Sequence, residues 1–185
     1  MRYTSINSKT GFKLSCNLKC VQCNATKPNG QRCKNRVCVG VGTCHAHRKK
    51  KLGVHVKKSN IPNGGKGLFA SHDFAKNDII GQYAGEKITV QQNKARHGGS
   101  NNDHNAYGLQ IGKHIIDASC KRGIISLANG SKAKTTSNAK FMGKMLPNGT
   151  ANVRATKAIN TGDEIILHYG RGYFKSAKYH KHKTK

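Results

Sequence analysis

The sequence has no tryptophan, only seven acidic residues among 185, and no long run of apolar residues. A membrane-spanning helix needs about 18 or more consecutive apolar residues, so the composition excludes a membrane protein. The N-terminal residues MRYTSINSKTGFKLSC contain no apolar segment of the kind found in secretory signals, which argues against a secreted protein. Because only 35% of the residues are apolar, we expect a small hydrophobic core.

Positive charge dominates the chain and concentrates at its two ends. Lys and Arg total 34, the formal net charge is +27, and all seven acids lie between Asp73 and Glu164. Residues 1–60 contain 14 Lys and Arg, and residues 171–185 contain six more, with no acid in either segment. Such basic flanks favour contact with a polyanion such as nucleic acid. The alternative is that each flank is simply solvated.

Six of the seven cysteines lie within a short N-terminal segment, from Cys16 to Cys44. In a chain without a secretory signal, clustered cysteines bind metal more often than they form disulfides. Closely spaced Cys and His side chains, as in a C-x2-H pair, suit the tetrahedral site that zinc prefers. We predict a structural zinc ion bound by Cys23, Cys33, Cys44 and His47, with Cys20 and Cys38 as alternative ligands.

The basic run after this cluster, residues 48–51, is expected to be a linker, a phosphate-binding patch or a nuclear localisation signal rather than a structured element. We therefore divide the chain into three parts. Residues 1–51 form a basic Cys/His-rich zinc-binding module and linker, residues 52–174 form the main domain, and residues 175–185 form a basic tail.

From Val54 onward, short β-type runs alternate with Gly, Asn and Asp. We predict strands over 67–70, 79–83, 107–111, 114–117, 152–155 and 164–169, and one short helix around 90–95. The pattern indicates a mainly β domain of short strands.

Four motifs follow one another in this domain. They are GGKGLFA at 64–70, YAGEKI at 83–88, Asp117-Ala118 with NGS at 129–131 and SNA at 137–139, and GDEIILHYG at 162–170 followed by Tyr173 and Phe174. Each is weak alone, but their order and spacing over residues 54–174 resemble the SET domain of protein-lysine methyltransferases. The chain looks closest to the short SET proteins of large DNA viruses, and its Cys/His segment resembles small zinc-finger-like segments of such viruses.

This resemblance implies a fold of small β-sheets whose C-terminal segment forms a pseudoknot, and a site that binds S-adenosyl-L-methionine. By the same resemblance, the backbones of Gly65, Lys66 and Gly67 would line the cofactor. Asn129 would bond its amino-acid part, Gly130 its adenine, and Phe174 or Tyr173 would cover the adenine ring. Tyr169 would be the catalytic tyrosine, and the substrate lysine would enter along a channel near Tyr107, Leu167 and Tyr169.

Methyl transfer to lysine requires the neutral amine. The lysine ammonium group has a pKa of about 10.4 in water, so the site must favour its deprotonation. The family usually has His where Gly130 stands here. We expect that this difference removes a side-chain contact near Tyr169 and that Gly130→His restores it.

Two hypotheses for function follow. The first is a protein-lysine methyltransferase that acts on histone or histone-like proteins in the nucleus or on chromatin, or in the host nucleus or virion if the protein is viral. The second is a non-enzymatic DNA- or chromatin-binding protein on a degenerate SET scaffold. Both include DNA contact through the basic flanks.

Overall fold

The computed structural model describes residues 2–6, 13–17, 21–37, 43–97, 105–131 and 135–169. In these ranges the chain forms mainly short strands with few helices, as the sequence predicts. The first elements are β1 (Arg2–Ile6), β2 (Lys13–Asn17), β3 (Val21–Gln22), β4 (Arg36–Val37) and helix α1 (His45–Leu52). The following elements are β5 (Val54–Lys58), β6 (Lys66–Ala70), β7 (Ile79–Tyr83), β8 (Glu86–Thr89), α2 (Val90–His97), β9 (Gly108–Ile111), β10 (His114–Asp117), a 3-10 helix (Ile124–Leu127), β11 (Asn129–Ser131), β12 (Ala139–Met145), β13 (Ala151–Ala155) and β14 (Ile166–His168).

The strands from β5 onward form three small sheets. Strands β5 and β6 form an antiparallel pair, β8, β10 and β9 form a second sheet, and the third has the order β11-β14-β12-β13-β7. Along β13, Ala151, Val153 and Ala155 are buried while the residues between them are half-buried. This period of two places one face of the largest sheet against the main core, where Leu68, Ile116 and Ile165 are fully buried.

The last described strand, β14, lies between two strands that follow one another in sequence. It runs parallel to β11, with Leu167 opposite Gly130, and parallel to β12, with Leu167 opposite Ala139. The Asn138 side chain anchors this insertion. Its Nδ2 donates to the Glu164 carbonyl and its Oδ1 accepts from the Ile166 amide, both at 2.8 Å. The C-terminal insertion expected for a pseudoknot is therefore present.

The expectation that residues 48–51 do not form a structured element was wrong, because these residues belong to helix α1. Lys and Arg have good helix propensity, and cations in the last turn interact favourably with the helix dipole. The helix ends at Leu52, which packs against the main core, and Gly53 follows it as a left-handed cap. Neither helix in the described part of the chain is long and apolar enough to cross a membrane.

The strand predictions at 79–83 and 114–117 are confirmed to the residue as β7 and β10, and the predicted helix is α2. The motif at 83–88 is divided between two strands, because β7 ends at Tyr83 and β8 begins at Glu86. Strand β12 was not predicted. It carries polar and half-buried residues, and it is held by pairing with β13 and β14.

Helix α2 is attached to β10 through a buried carboxylate. Asp117 is fully buried, and its Oδ2 lies 2.9 Å from Arg96 Nη1 and 3.1 Å from His97 Nε2. Its Oδ1 accepts from Asn105 Nδ2 and from the Ser119 amide. Burial opposes ionisation, but the hydrogen bonds from His97 and Ser119 hold the pKa of Asp117 well below its usual range.

Candidate active site

A cleft of about 590 Å³ opens beside the turn that joins β5 to β6. Residues 61–64 and Lys66 form one side, residues 126–130 form another, and Ala106, Tyr107 and Tyr169 complete the lining. The cleft therefore combines backbone-rich turns with two amide residues, Asn63 and Asn129, and one long cation, that of Lys66. Its volume falls within the range of about 300–1,000 Å³ that is usual for sites that hold cofactor-sized ligands.

A second, much smaller cavity of about 80 Å³ has aromatic walls. The rings of Tyr83 and Phe141 meet edge to face with centroids 5.3 Å apart, and Phe141 stacks on Tyr169 at 6.1 Å. Tyr83 Oη donates to the Tyr107 carbonyl at 2.7 Å, which fixes the backbone on the opposite wall. Such a cavity admits a narrow, flexible chain and excludes bulky groups.

The two cavities meet at shared residues, namely Ala106, Tyr107, Ser126 and Tyr169. Tyr169 follows β14 directly, and its hydroxyl donates to the Ala128 carbonyl at 2.7 Å. The guanidinium of Arg122 lies 3.9 Å from the centre of the Tyr107 ring and supports it. A hydroxyl and a carbonyl oxygen therefore lie together at the boundary between a cofactor-sized cleft and a narrow channel.

The structure brings most of the predicted site residues together. Lys66, Asn129 and Gly130 line the cleft, and Tyr107 and Tyr169 line both cavities. Two other predicted residues are sequence neighbours of the lining residue Lys66 but are not among the lining residues: the Gly65 carbonyl accepts from the Ser59 amide at 2.9 Å, and Gly67 lies within β6. Leu167 is fully buried in the core and does not line either cavity, and Phe174 lies outside the described residues.

Gly130 lies directly against the Tyr169 ring. A Cβ atom added at Gly130 would be 2.2 Å from Tyr169 Cδ2 and 2.4 Å from Cε2, far inside van der Waals contact. The expectation that Gly130→His restores a contact stays a prediction, and it requires the Tyr169 ring to move, because the ring occupies the space that a side chain at 130 needs. The glycine is matched to the position of Tyr169.

Several residues of the site were not identified from the sequence. Phe141 and Tyr83 form the walls of the channel, and Ser126 lies where the two cavities join. Ser59 and Glu164 bond Asn129 behind the cleft. Tyr83 and Glu164 stand within the quoted motifs, so those motifs were the available signal. No motif in the sequence indicated Phe141 or Ser59, because only the folded chain brings them to the site.

The Cys/His cluster forms a small site of its own. The ligand atoms of Cys23, Cys33, Cys44 and His47 all lie within 4.8 Å of one another. Cys33 Sγ and Cys44 Sγ are 4.0 Å apart, and His47 Nδ1 is 3.2 Å from Cys44 Sγ and 3.7 Å from Cys23 Sγ. In a tetrahedral zinc site the corresponding edges are about 3.8 Å for S–S and about 3.6 Å for S–N. The four predicted ligands therefore fit one zinc ion, whereas Cys20 and Cys38 lie outside the described residues.

The surroundings of the cluster favour the thiolate form of Cys44, whereas burial and the neighbouring Cys44 and Cys23 thiols raise the pKa of Cys33 despite a backbone hydrogen bond from Asn35. Hydrogen bonds from the Asn35 side chain and the His47 backbone lower the pKa of Cys44 to about 6. The Cys44 amide also donates to Cys23 Sγ at 3.2 Å. Among the described cysteines, Cys23, Cys33 and Cys44 are free thiols, whereas Cys120 is disulfide-bonded.

Comparison with known proteins identifies the family. The model of the SET domain matches residues 65–170, which is more than half of the chain, and the protein therefore belongs to the SET domain family. No curated protein matches the chain by sequence.

Solved structures share the fold. An active polycomb repressive complex 2 in the stimulated state is 22% identical with a TM-score of 0.52, and the match covers 63% of this chain and 15% of that one. Polycomb repressive complex 2 of Chaetomium thermophilum is 19% identical with a TM-score of 0.52, covering 76% and 17%. The ctPRC2 structure in an autoinhibited conformation bound to S-adenosylmethionine is 19% identical with a TM-score of 0.54, covering 86% and 24%. This chain thus spans less than a quarter of the length of each of these three chains.

Proposed function

We propose that this protein is an S-adenosylmethionine-dependent protein-lysine N-methyltransferase. The observation that carries the proposal is the junction of two cavities at Tyr169, one of cofactor size and one narrow and aromatic. A methyltransferase needs such a junction, because its two substrates must approach from different sides and meet in line at one carbon atom. Membership of the SET domain family agrees with this arrangement.

The 590 Å³ cleft is the proposed cofactor site. Its dimensions and its mixture of backbone and amide groups fit an adenosyl amino acid. We assign the backbones of Gly65, Lys66 and Gly67, the Asn129 side chain and the Gly130 backbone to cofactor binding. When bound there, S-adenosylmethionine supplies an electrophilic methyl group on a sulfonium centre.

The aromatic channel is the proposed lysine site. Its walls remove water from the side chain of the substrate, and this desolvation lowers the pKa of the lysine ammonium from its usual value of about 10.4. The neutral amine that results has the lone pair needed for attack. Tyr169 Oη and the Ala128 carbonyl, which are 2.7 Å apart, are the polar groups available to orient it.

We propose histone or histone-like proteins as substrates. One of the structurally similar chains, ctPRC2, was solved in complex with H3K27me3 and H3K27M. A histone tail is cationic and should be repelled by a chain with a net charge of +27. A nucleosome resolves this conflict, because its DNA attracts the basic flanks while a tail reaches the channel. The corresponding location is chromatin in the nucleus, or the host nucleus or virion for a protein of viral origin.

The Cys/His cluster is proposed to hold one structural zinc ion. Among the described residues of the segment from β3 to α1, the buried members of its small centre are Cys23, Cys33, Val37 and Cys44. So little apolar burial cannot offset the entropy of ordering the segment, and a metal would supply the missing stabilisation.

The test of activity is incubation with radiolabelled S-adenosylmethionine and nucleosomes, free histones or packaged viral proteins. We expect label in a lysine-containing protein, with nucleosomes preferred over free histones at physiological salt. Saturable cofactor binding without transfer to any of these substrates would contradict the proposed substrate class. Absence of cofactor binding would contradict the proposed methyltransferase activity itself.

The second candidate function is DNA or chromatin binding without catalysis. The excess of positive charge favours it, since 20 of the 34 Lys and Arg lie outside residues 61–170. Cofactor binding discriminates between the two candidates, because a scaffold that only binds DNA has no use for the cleft beside Tyr169.

A further inference from the structure

One wall of the narrow cavity is a tight turn that begins at a buried asparagine. Residues 106–109 line the cavity, and the Asn105 carbonyl accepts from the Gly108 amide at 3.0 Å to close the turn. Asn105 Oδ1 also accepts from the Tyr107 amide at 3.0 Å. Asparagine is favoured at the first position of a turn because its side chain can bond the backbone two residues later. The Asn105 side chain therefore fixes the backbone that carries the Tyr107 ring.

A buried carboxylate fixes the orientation of the Asn105 amide. Asn105 is 5% exposed, and its Nδ2 donates to Asp117 Oδ1 at 3.1 Å and to Asn93 Oδ1 of α2 at 2.8 Å. An ionised carboxylate cannot donate a hydrogen bond, so a reversed amide would place its oxygen against the charge of Asp117. The reversal would also turn the amide nitrogen of the side chain toward the Tyr107 N–H, which is itself a donor. The orientation that leaves Oδ1 for Tyr107 is therefore the stable one.

The rest of Tyr107 is held by residues that follow β10. The Tyr107 carbonyl accepts from the Ala118 amide at 3.0 Å. The Arg122 guanidinium lies 3.9 Å from the centre of the Tyr107 ring. Its Nε donates to the Ala118 carbonyl at 3.1 Å and its Nη2 donates to the Ser119 carbonyl at 3.2 Å, which fixes the plane of the guanidinium. Both the backbone and the ring of Tyr107 are thus attached to this segment.

We infer that Asn105 and Arg122 are positioning residues for the proposed methyl transfer. Asn105 holds the backbone of Tyr107 and Arg122 holds its ring, so together they set the width and direction of the lysine channel. The inference rests on the proposed function and deepens it, because neither residue lines either cavity. A lysine side chain has many rotamers, so only a rigid channel can align its nitrogen with a single carbon atom.

The test separates loss of position from loss of stability by two replacements of Asn105. Asn105→Ala removes every side-chain hydrogen bond, whereas Asn105→Ser keeps a hydroxyl that can accept from the Tyr107 amide. Both variants lose the amide donor to Asp117, so both should melt at a lower temperature. The kcat/KM for methyl transfer to nucleosomes should fall about 10-fold in Asn105→Ala and less than about 3-fold in Asn105→Ser.

Two further measurements do not depend on turnover. Hydrogen exchange of the Tyr107 amide, followed by NMR, should be about 5-fold faster in Asn105→Ala than in Asn105→Ser, because only the alanine variant lacks the acceptor. Affinity for S-adenosylhomocysteine, measured by calorimetry, should change less than about 2-fold in either variant, because the residues assigned to the cofactor lie in and beside β6 and β11.

Asn93→Ala is the matched control. It removes the same 2.8 Å bond from the side of α2 and leaves Asn105 bonded to Asp117 and Tyr107. It should lower the melting temperature but change kcat/KM less than about 2-fold.

Arg122→Gln is the second variant and replaces Asn105→Ala if that variant does not fold. It should lower kcat/KM about 5-fold, because the Tyr107 ring loses the guanidinium. Its control is Lys121→Gln, which changes the neighbouring exposed cation and should leave kcat/KM unchanged.

Equal losses of kcat/KM in a positioning variant and its control, or no loss in either, would overturn the inference while leaving the proposed function intact. If the unmodified chain binds S-adenosylhomocysteine but methylates no substrate, equal exchange rates of the Tyr107 amide in Asn105→Ala and Asn105→Ser would overturn the inference. Failure of the unmodified chain both to bind S-adenosylhomocysteine and to transfer a methyl group would overturn the inference and the proposed function together.

Discussion

At the scale of single residues, the position of the Tyr169 ring depends on the absence of a side chain at Gly130. We expect Gly130→Ala to displace the ring and to lower turnover by about 10-fold or more, because the added methyl must occupy space that the ring now fills. Gly143→Ala is the matched control, since a Cβ atom there meets nothing within 4 Å. Turnover and melting temperature should be measured on both variants. Higher turnover in Gly130→His would mean that catalysis does not depend on the present position of the Tyr169 ring.

Removing the Tyr169 hydroxyl tests its chemical role. Tyr169→Phe keeps nearly all of the side-chain volume, so folding and cofactor affinity should be retained. Turnover should fall by about 100-fold, because a preorganised polar group at the reacting centre is lost. The measurements are methyl transfer, calorimetry with S-adenosylhomocysteine and a melting curve. Transfer at the parental rate would show that the hydroxyl has no part in the reaction.

At the scale of secondary structure elements, the buried contact between α2 and β10 predicts how stability depends on pH. Asp117 has a lowered pKa in the folded chain, so its stabilising contribution is complete above the unfolded value of about 3.9. That contribution is lost as pH falls below this value toward the folded pKa. Arg96 and His97 of α2, Glu86 of β8 and Ser119 are the charged and polar groups that surround it.

The variant Asp117→Asn should be less stable at pH 7 by about 3 kcal/mol, because the half-buried Arg96 guanidinium loses one of its two carboxylate partners and the buried charge contact at position 117 is lost. Its melting temperature should then vary less between pH 5 and pH 2 than that of the unmodified chain. Asp78→Asn, which changes an exposed acid, is the control and should retain the steep acid dependence. Parallel acid profiles for Asp117→Asn and the unmodified chain would contradict the assignment.

The Cys/His cluster predicts one zinc ion per chain. Elemental analysis should give a ratio near one, and Cys33→Ser or Cys44→Ser should abolish binding, because each removes a thiolate from the four-ligand set. Cys20→Ser and Cys38→Ser are the controls and should retain zinc. Loss of zinc in a control, together with its retention in Cys33→Ser, would require a different set of ligands.

At the scale of the whole molecule, the uneven charge predicts DNA binding that depends strongly on salt. Lys49, Lys50 and Lys51 are exposed on α1, and each phosphate contact contributes about 0.9 to the slope of log K against log salt. Replacing all three by Gln should therefore reduce the slope by up to about 3. Replacing them by Arg keeps the charge and should leave the slope unchanged. A slope that is equal in the Gln and Arg variants would exclude α1 from the interface.

The family and the members of the Cys/His cluster could be predicted from the sequence because their signals are local. The motifs around Gly65–Gly67, Asn129 and Tyr169 follow one another in the order and spacing typical of the family. Cys44 and His47, which are three positions apart, supply two neighbouring candidate ligands. Strands β7 and β10 were predicted to the residue because Gly, Asn and Asp mark their ends. Helix α1 was missed because the run of lysines has no apolar periodicity, and its position is set by the cluster at one end and by Leu52 at the other.

The tertiary structure alone decided how the candidate site is built. Phe141 reaches the channel, and Ser59 and Glu164 bond Asn129, although they are separated by 70 and 35 positions from it, respectively. No local pattern records such contacts, because they arise when β14 inserts between β11 and β12. The fit of the Tyr169 ring against Gly130 is of the same kind. From the sequence the glycine is a departure from the family pattern, whereas in the folded chain steric exclusion means that a Cβ atom at position 130 and the Tyr169 ring cannot both occupy the present position of the ring.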